Sequence, residues 1–165
     1  MRFLLIMVFV VLAACGGGDG SDGDSTQNKQ GSTTDDGARS TTPIVFETVA
    51  KGAQGPTTAA TVVARSQAEF DAAWAANGGS GNPSLGSIDY DTQMVIAVFL
   101  GQQPNAGYDV EVTSINSIYE VSYDEVSPGA ECITAQVLTA PFHVVVVPTS
   151  DTDATFLPEQ RVNPC

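Results

Sequence analysis

Three cysteines, one histidine and nineteen carboxylates are the residues of this 165-residue chain whose types allow nucleophilic, acid-base or metal chemistry. Cys132 and Cys165 form an even pair, which outside the cytosol reads as a disulfide. It would close a loop of 34 residues and contribute about 3 to 4 kcal/mol by restricting the unfolded chain. The competing chemistry is a Cys132 thiolate activated by His143, the arrangement of a cysteine hydrolase. Both residues fall within or beside expected strands, and the tail cysteine can cap the thiol, so the disulfide is preferred. A lone histidine between a proline and a valine run is expected to be a packed, hydrogen-bonded structural residue. No Gly-x-Ser-x-Gly elbow accompanies it, and zinc would need three or four His or Cys ligands. No catalysis, metal or cofactor is expected. The carboxylate pairs Asp89 with Asp91 and Asp124 with Glu125 are assigned to solvated faces.

The most individual stretch is Gly101 to Tyr108, Gly-Gln-Gln-Pro-Asn-Ala-Gly-Tyr. Pro104 fixes φ near −65° and Gly107 is free to take φ > 0, so a tight, preshaped hairpin loop is expected. Rigid loops on a sheet scaffold suit binding, because little ordering entropy is lost on contact. Gln103, Pro104, Asn105, Gly107 and Tyr108 are the candidate binding residues.

Charge narrows the partner class. Six basic side chains stand against nineteen acidic ones, a net charge of −13. Such a chain repels phosphate backbones, which excludes nucleic-acid binding through a basic patch. Charged residues make up only 15% of the chain, below the roughly 25% of ordinary domains, so much of it must be apolar signal, neutral linker or buried sheet.

The first fourteen residues account for part of that. Arg2 is followed by ten apolar residues, Phe3 to Leu12, too short as a helix to cross a hydrocarbon core of about 30 Å. Leu12-Ala13-Ala14-Cys15 resembles the bacterial lipobox. That resemblance implies cleavage before Cys15, diacylglyceryl modification of its thiol and acylation of the new amino group, a membrane anchor of several chains. Gly16, where an aspartate would favour the inner membrane, points to the outer membrane of the cell envelope. Residues 16 to 43 contain no large apolar side chain and are expected to be a disordered acidic tether. The organisation expected is therefore signal 1–14, lipidated Cys15 with tether to 43, and one globular domain 44–165. That domain carries fourteen acidic and three basic side chains, a balance of −11.

The domain reads as α+β: a mainly antiparallel sheet of five to seven strands with one packed helix. Ser66-x-x-Glu69 is a capping box, Phe70, Ala73 and Trp74 share one face, and Gly78-Gly79 ends the run, giving a helix over 67–77. The apolar run Gln93 to Leu100 predicts a fully buried strand. Tyr108 to Ile118 and Tyr119 to Val126 alternate, with Val121, Tyr123 and Glu125 on one parity. Cys132 to Thr139 and Pro141 to Val147 predict two more strands, the second buried on both faces. Ile44 to Val49 and Thr155 to Val162 are expected at sheet edges, the latter because of Pro158.

Several landmarks occur in an order and spacing that resembles one family. They are Ile88-Asp89-Tyr90, Met94-Val95-Ile96, Gly101, Pro104-x-x-Gly107-Tyr108, Pro128-Gly129-x-x-Cys132 and Thr139-x-Pro141-Phe142-His143. Together they resemble the C-terminal domain of the protease complex subunit PrcB family, over about Ile88 to Val147. The resemblance implies a secreted or lipid-anchored bacterial accessory protein, associated with a secreted or surface protease and not itself a protease. Ala106 departs from the family's Pro-x-Gly-Gly-Tyr, which puts the loop's shape in question. The same turn is similar to the Asn-Pro-x-x-Gly-aromatic loop of chagasin-like cysteine-protease inhibitors, where only the loop matches. Protease inhibition through Pro104 to Tyr108 is therefore the alternative to an accessory role, beside a structural or small-ligand envelope protein.

Overall fold

The hydrophobic runs sort themselves into three layers in a computed structural model that describes residues 41–165. The expected signal, the lipidation site Cys15 and the tether up to residue 40 lie outside the described residues. Seven strands and one helix follow in the order β1 (Glu47–Gly52), β2 (Ala60–Ala64), α1 (Gln67–Ala76), β3 (Gln93–Phe99), β4 (Asp109–Ile115), β5 (Glu120–Pro128), β6 (Phe142–Pro148) and β7 (Thr155–Asn163). The class is α+β, as expected, but the strands divide between two sheets. One is antiparallel with order β1-β6-β3-β2, and the other has order β4-β5-β7 with β7 parallel to β5.

Parity explains the layering. In β3 and β6 successive side chains point to opposite faces, and both faces are covered. Met94, Ile96, Val98, Val145 and Val147 meet Val110, Val112, Ile115, Val121 and Tyr123 of the second sheet. Val95, Ala97, Phe99, Phe142, Val144 and Val146 meet Phe70 and Trp74 of α1. Trp74 is the centre of that outer layer, with ring centroids 5.8 Å from Phe70, 5.5 Å from Phe99 and 5.0 Å from Phe142, the last two edge-on. Such edge-to-face contacts suit the ring quadrupole and add to the area buried.

The helix starts where the capping box predicts. Ser66 is extended and its Oγ accepts from the Glu69 amide at 3.2 Å. The Glu69 carboxylate reaches one residue further back than a standard box, accepting from the Arg65 amide at 2.6 Å. Gly78, at φ +82°, ends it.

Three sequence expectations are corrected, and one strand is added. Cys132 to Thr139 is not a strand: its only ladder contact is an isolated bridge from Thr139 to Gln103, because this segment must carry the chain from one sheet to the other. Gly101 to Tyr108 is not a hairpin loop for the same reason, since β3 and β4 lie in different sheets. The strand β2 was not anticipated; its Ala-Thr-Val-Val-Ala sequence is short and gains its stability from pairing with β3 and packing under α1. Asp124 is not on a solvated face but buried, its Oδ2 2.5 Å from Nη1 of Arg161 on β7. Both expected edge strands do lie at edges, and Pro158 is accommodated because β7 pairs on one side only.

The elements define two poles. The tight turn Asn116 to Tyr119 joins β4 to β5 at one. There Tyr119 takes φ 56°, a conformation held by the Asn116 Oδ1, which accepts from the Ile118 and Glu120 amides at 3.1 Å each. Thr42 and Ile44 dock at this same pole, through Ser117 N–H to Thr42 O at 2.8 Å and Ile44 N–H to Ile115 O at 2.7 Å. The opposite pole gathers the segments 100–108, 129–141 and 163–165.

Candidate functional site

That second pole is built by two long connections that brace each other. Gln103 and Thr139 exchange both main-chain hydrogen bonds, at 2.7 and 3.1 Å. Ala106 N–H donates to Ala135 O at 3.0 Å, and the Thr139 hydroxyl donates to Asn105 O at 3.0 Å. Two glycines make the first connection possible. Gly101 sits at φ +74°, where a Cβ would come within 2.7 Å of the Ala59 amide nitrogen, and Gly107 sits at φ +99°. The preshaped turn expected around Pro104 and Gly107 is thus present, although it spans two sheets.

Cys132 and Cys165 are bonded, with Cα atoms 5.5 Å apart. The bond clasps the second connection to the end of β7, reinforced by Gly129 N–H to Asn163 O at 3.0 Å. Immediately after it the chain turns its aliphatic side chains outward: Ile133 is fully exposed, and Val137 and Leu138 are 50% and 58% exposed. Val137 N–H donates to Ala135 O at 2.9 Å, which together with the Thr139 to Gln103 bonds holds this stretch, and contiguous exposed apolar groups mark contact surfaces. Their exposure is also why a strand pattern read from this sequence misleads.

The turn 101–108 forms a ridge between two cavities. Gln102 and Leu138 line one of about 160 Å³ beside the C-terminal end of α1. Gln103 and Tyr108 line the other, of about 140 Å³, together with Leu100, Glu125, Ser127 and Gln160. Glu125 follows Val121 and Tyr123 on the core-facing parity of β5, so the row of buried apolar residues ends in a carboxylate at the rim. Its Oε2 accepts from Gln160 Nε2 at 2.6 Å. The Tyr123 hydroxyl is pushed above its ordinary pKa, first by burial and then by the negative charge of Glu125 and a hydrogen bond to it.

The domain's own cations are engaged elsewhere. Lys51 Nζ lies 2.8 Å from Asp109 Oδ2 and 3.5 Å from Glu111 Oε2. Burial alone would lower its pKa, but these two carboxylates outweigh that and raise it. Arg65 donates twice to Ser150 O, at 2.9 and 2.8 Å, and Arg161 is held by Asp124. That partner raises the Arg161 guanidinium further above its already high pKa.

His143 and Cys132 are not brought together as a catalytic pair. The imidazole is 2% exposed and spans the two sheets: its Nδ1 accepts from the Val112 amide at 2.8 Å, and its Nε2 lies 2.8 Å from the Thr48 hydroxyl. An acceptor at Nδ1 fixes the neutral ring with the proton on Nε2. Burial, and secondarily the Lys51 charge, lower its pKa, against opposition from Glu111 and Asp109. Among the described residues no three His, Cys, Asp or Glu side chains converge to hold a metal ion.

Of the candidate binding residues, Gln103 and Tyr108 line the rim cavity, Pro104 and Gly107 are exposed, and Asn105 is half-buried, its main-chain oxygen taken by Thr139. Ser127 and Gln160 carry no signal in the sequence, and Glu125, expected on a solvated face, is half-buried in the cavity wall. Only the parity of Glu125 with two apolar neighbours signalled its position.

Residues 94–148 match the PrcB C-terminal family model. The matched segment runs from β3 to the end of β6, and so contains both connections of the rim and every cavity residue named except Gln160. The match covers one third of the chain, and the PrcB resemblance drawn from the ordered landmarks agrees with it over this range. Comparison with curated proteins and with solved structures gives no match. The substitution of Ala106 for a family glycine costs no backbone strain, because Tyr119 is the one non-glycine at positive φ among the described residues.

Proposed function

We propose that this chain is a lipid-anchored accessory protein of the bacterial cell envelope, non-catalytic, which binds a secreted or surface protease through the braced rim. The observation that carries it is the coincidence of the PrcB C-terminal match with the two connections that build that rim. The lipobox-like Leu12-Ala13-Ala14-Cys15 supports the anchor, and Gly16 directly after it supports an outer-membrane location. The exposed Ile133, Val137 and Leu138 on the same pole as the two cavities, one of them lined by Leu138, support a protein contact, with apolar area for affinity and polar groups for register. An accessory contact is favoured over cleft-filling inhibition because Asn105, Ala106 and Tyr108 are partly buried and the turn is bonded to 135–139, not projecting alone.

The test is site-specific photocrosslinking in intact envelopes of the producing bacterium. A photoreactive residue at Tyr108 or Leu138 should give an adduct with a protease, whereas one at Ser117, on the opposite pole, should not. Replacing Pro104, Gly107 and Tyr108 together should abolish the Leu138 adduct. Adducts formed equally from Ser117, or unaffected by the triple change, would remove the rim from the contact. The anchor has its own readout: incorporation of labelled palmitate that disappears in Cys15→Ser.

A further inference from the structure

We propose that the rim cavity is a socket for an arginine side chain of the protein partner. This deepens the rim reading and rests on it. A guanidinium is planar, with five donors in a fixed fork, and binds best where a carboxylate accepts in plane and an aromatic ring lies alongside. The cavity presents those groups. Glu125 supplies the carboxylate at the end of the core-facing row of β5, and Tyr108 supplies the ring from the facing connection. Gln103 and Ser127 add side-chain oxygens that can accept.

Gln160 holds the Glu125 carboxylate in one orientation through Oε2 at 2.6 Å. It is a neutral partner, so it orients the charge without cancelling it. The three cations of the described residues are committed to Asp109 and Glu111, to Ser150 O, and to Asp124. Among the described residues no uncommitted cation remains to occupy the cavity, and the socket is assigned to a cation of the partner. The surrounding domain, at −11, attracts such a cation at long range. An anionic occupant would meet that field and the carboxylate with no cation to offset either. Lysine could reach Glu125 but offers a point charge without the fork, and would make less of the amide and the ring.

The test is an NMR titration of the full chain in detergent micelles with N-acetyl-arginine methylamide as probe. Its neutral isostere, N-acetyl-citrulline methylamide, and the lysine analogue are run in parallel. Saturable shifts are expected at Tyr108, Ser127 and Gln160, at least tenfold weaker for citrulline and weaker for lysine, and weakened again by 0.5 M salt. Glu125→Gln should lower the arginine affinity at least tenfold with the amide spectrum of the fold retained. Tyr108→Leu provides a second variant should that one unfold. Equal shifts from arginine and citrulline, or no shifts at these residues, would overturn the socket. If the Leu138 photoadduct persists in Glu125→Gln while the probe fails to bind, the socket falls and the rim contact stands.

Discussion

Opening the bond between Cys132 and Cys165 perturbs the rim at a single point whose cost can be worked from the chain. The two residues are separated by 33 positions. Closing a loop of that size removes about 12.5 cal/mol/K from the unfolded ensemble, or about 3.7 kcal/mol at 25 °C. For the 125 described residues the unfolding entropy near the midpoint is about 260 cal/mol/K, so the reduced protein should melt about 14 °C below the oxidised one. The loss should also be local. β7 pairs with β5 alone, and its far end is tied by this bond and by the Gly129 to Asn163 hydrogen bond. Reduction should therefore raise amide exchange across Thr155–Asn163 before it touches β3 or β6. Calorimetry with and without reductant, repeated on Cys132→Ser with Cys165→Ser, measures the first effect, and hydrogen-exchange mass spectrometry the second. A midpoint shift below about 3 °C, together with unchanged exchange in β7, would refute both the entropy argument and the clasp.

Three further outcomes are expected. His143 has its pKa lowered in the fold, so the unfolded chain protonates first. Stability is complete above about pH 6.5 and falls as pH drops through it, by at most about 1.4 kcal/mol per unit. Urea unfolding between pH 7 and 5.5 should show that slope in the wild type and lose it in His143→Gln, and equal slopes would count against the buried neutral ring. Gly101→Ala should cost the left-handed penalty of about 1 to 2 kcal/mol plus relief of the contact with Ala59, whereas Gly86→Ala, at φ +74° in open space, should cost the penalty alone; equal losses would show that the contact is relieved freely. Trp74→Ala, removing the ring packed by Phe70, Phe99 and Phe142, should destabilise by about 3 to 5 kcal/mol in the same assay. A loss under about 1.5 kcal/mol would mean that the outer layer is not a core.

What was legible in the sequence was whatever local periodicity alone determines. Gln93–Phe99 and Phe142–Pro148 read as doubly buried because neither parity offers a polar row, and the helix declared itself through Ser66, Glu69 and Gly78. The disulfide was legible because only two cysteines remain once Cys15 is set aside. The division into two sheets was not, since which strands pair is decided by contacts across long separations, such as β5 with β7. Ile133, Val137 and Leu138 have strand-like chemistry and lie at the surface, so a pattern rule that equates apolar with buried inverts their meaning. The rim cavity escaped for a related reason. Tyr108, Glu125 and Gln160 come from three separate segments and meet only when the two sheets close.

The docking of Thr42 and Ile44 onto the Asn116–Tyr119 turn has a mechanical consequence. The chain enters the domain at the pole remote from the rim, and β4 alone spans seven residues between them, about 23 Å. A pull exerted on the rim by a bound partner, and resisted from the amino-terminal side, would act along the strands. The β4–β5 ladder would then be loaded in shear, with all its rungs sharing the force, where a pull across the strands would unzip them one at a time. The same arrangement sets orientation: a partner held at the rim would sit a strand's length away from the point where the chain enters the domain.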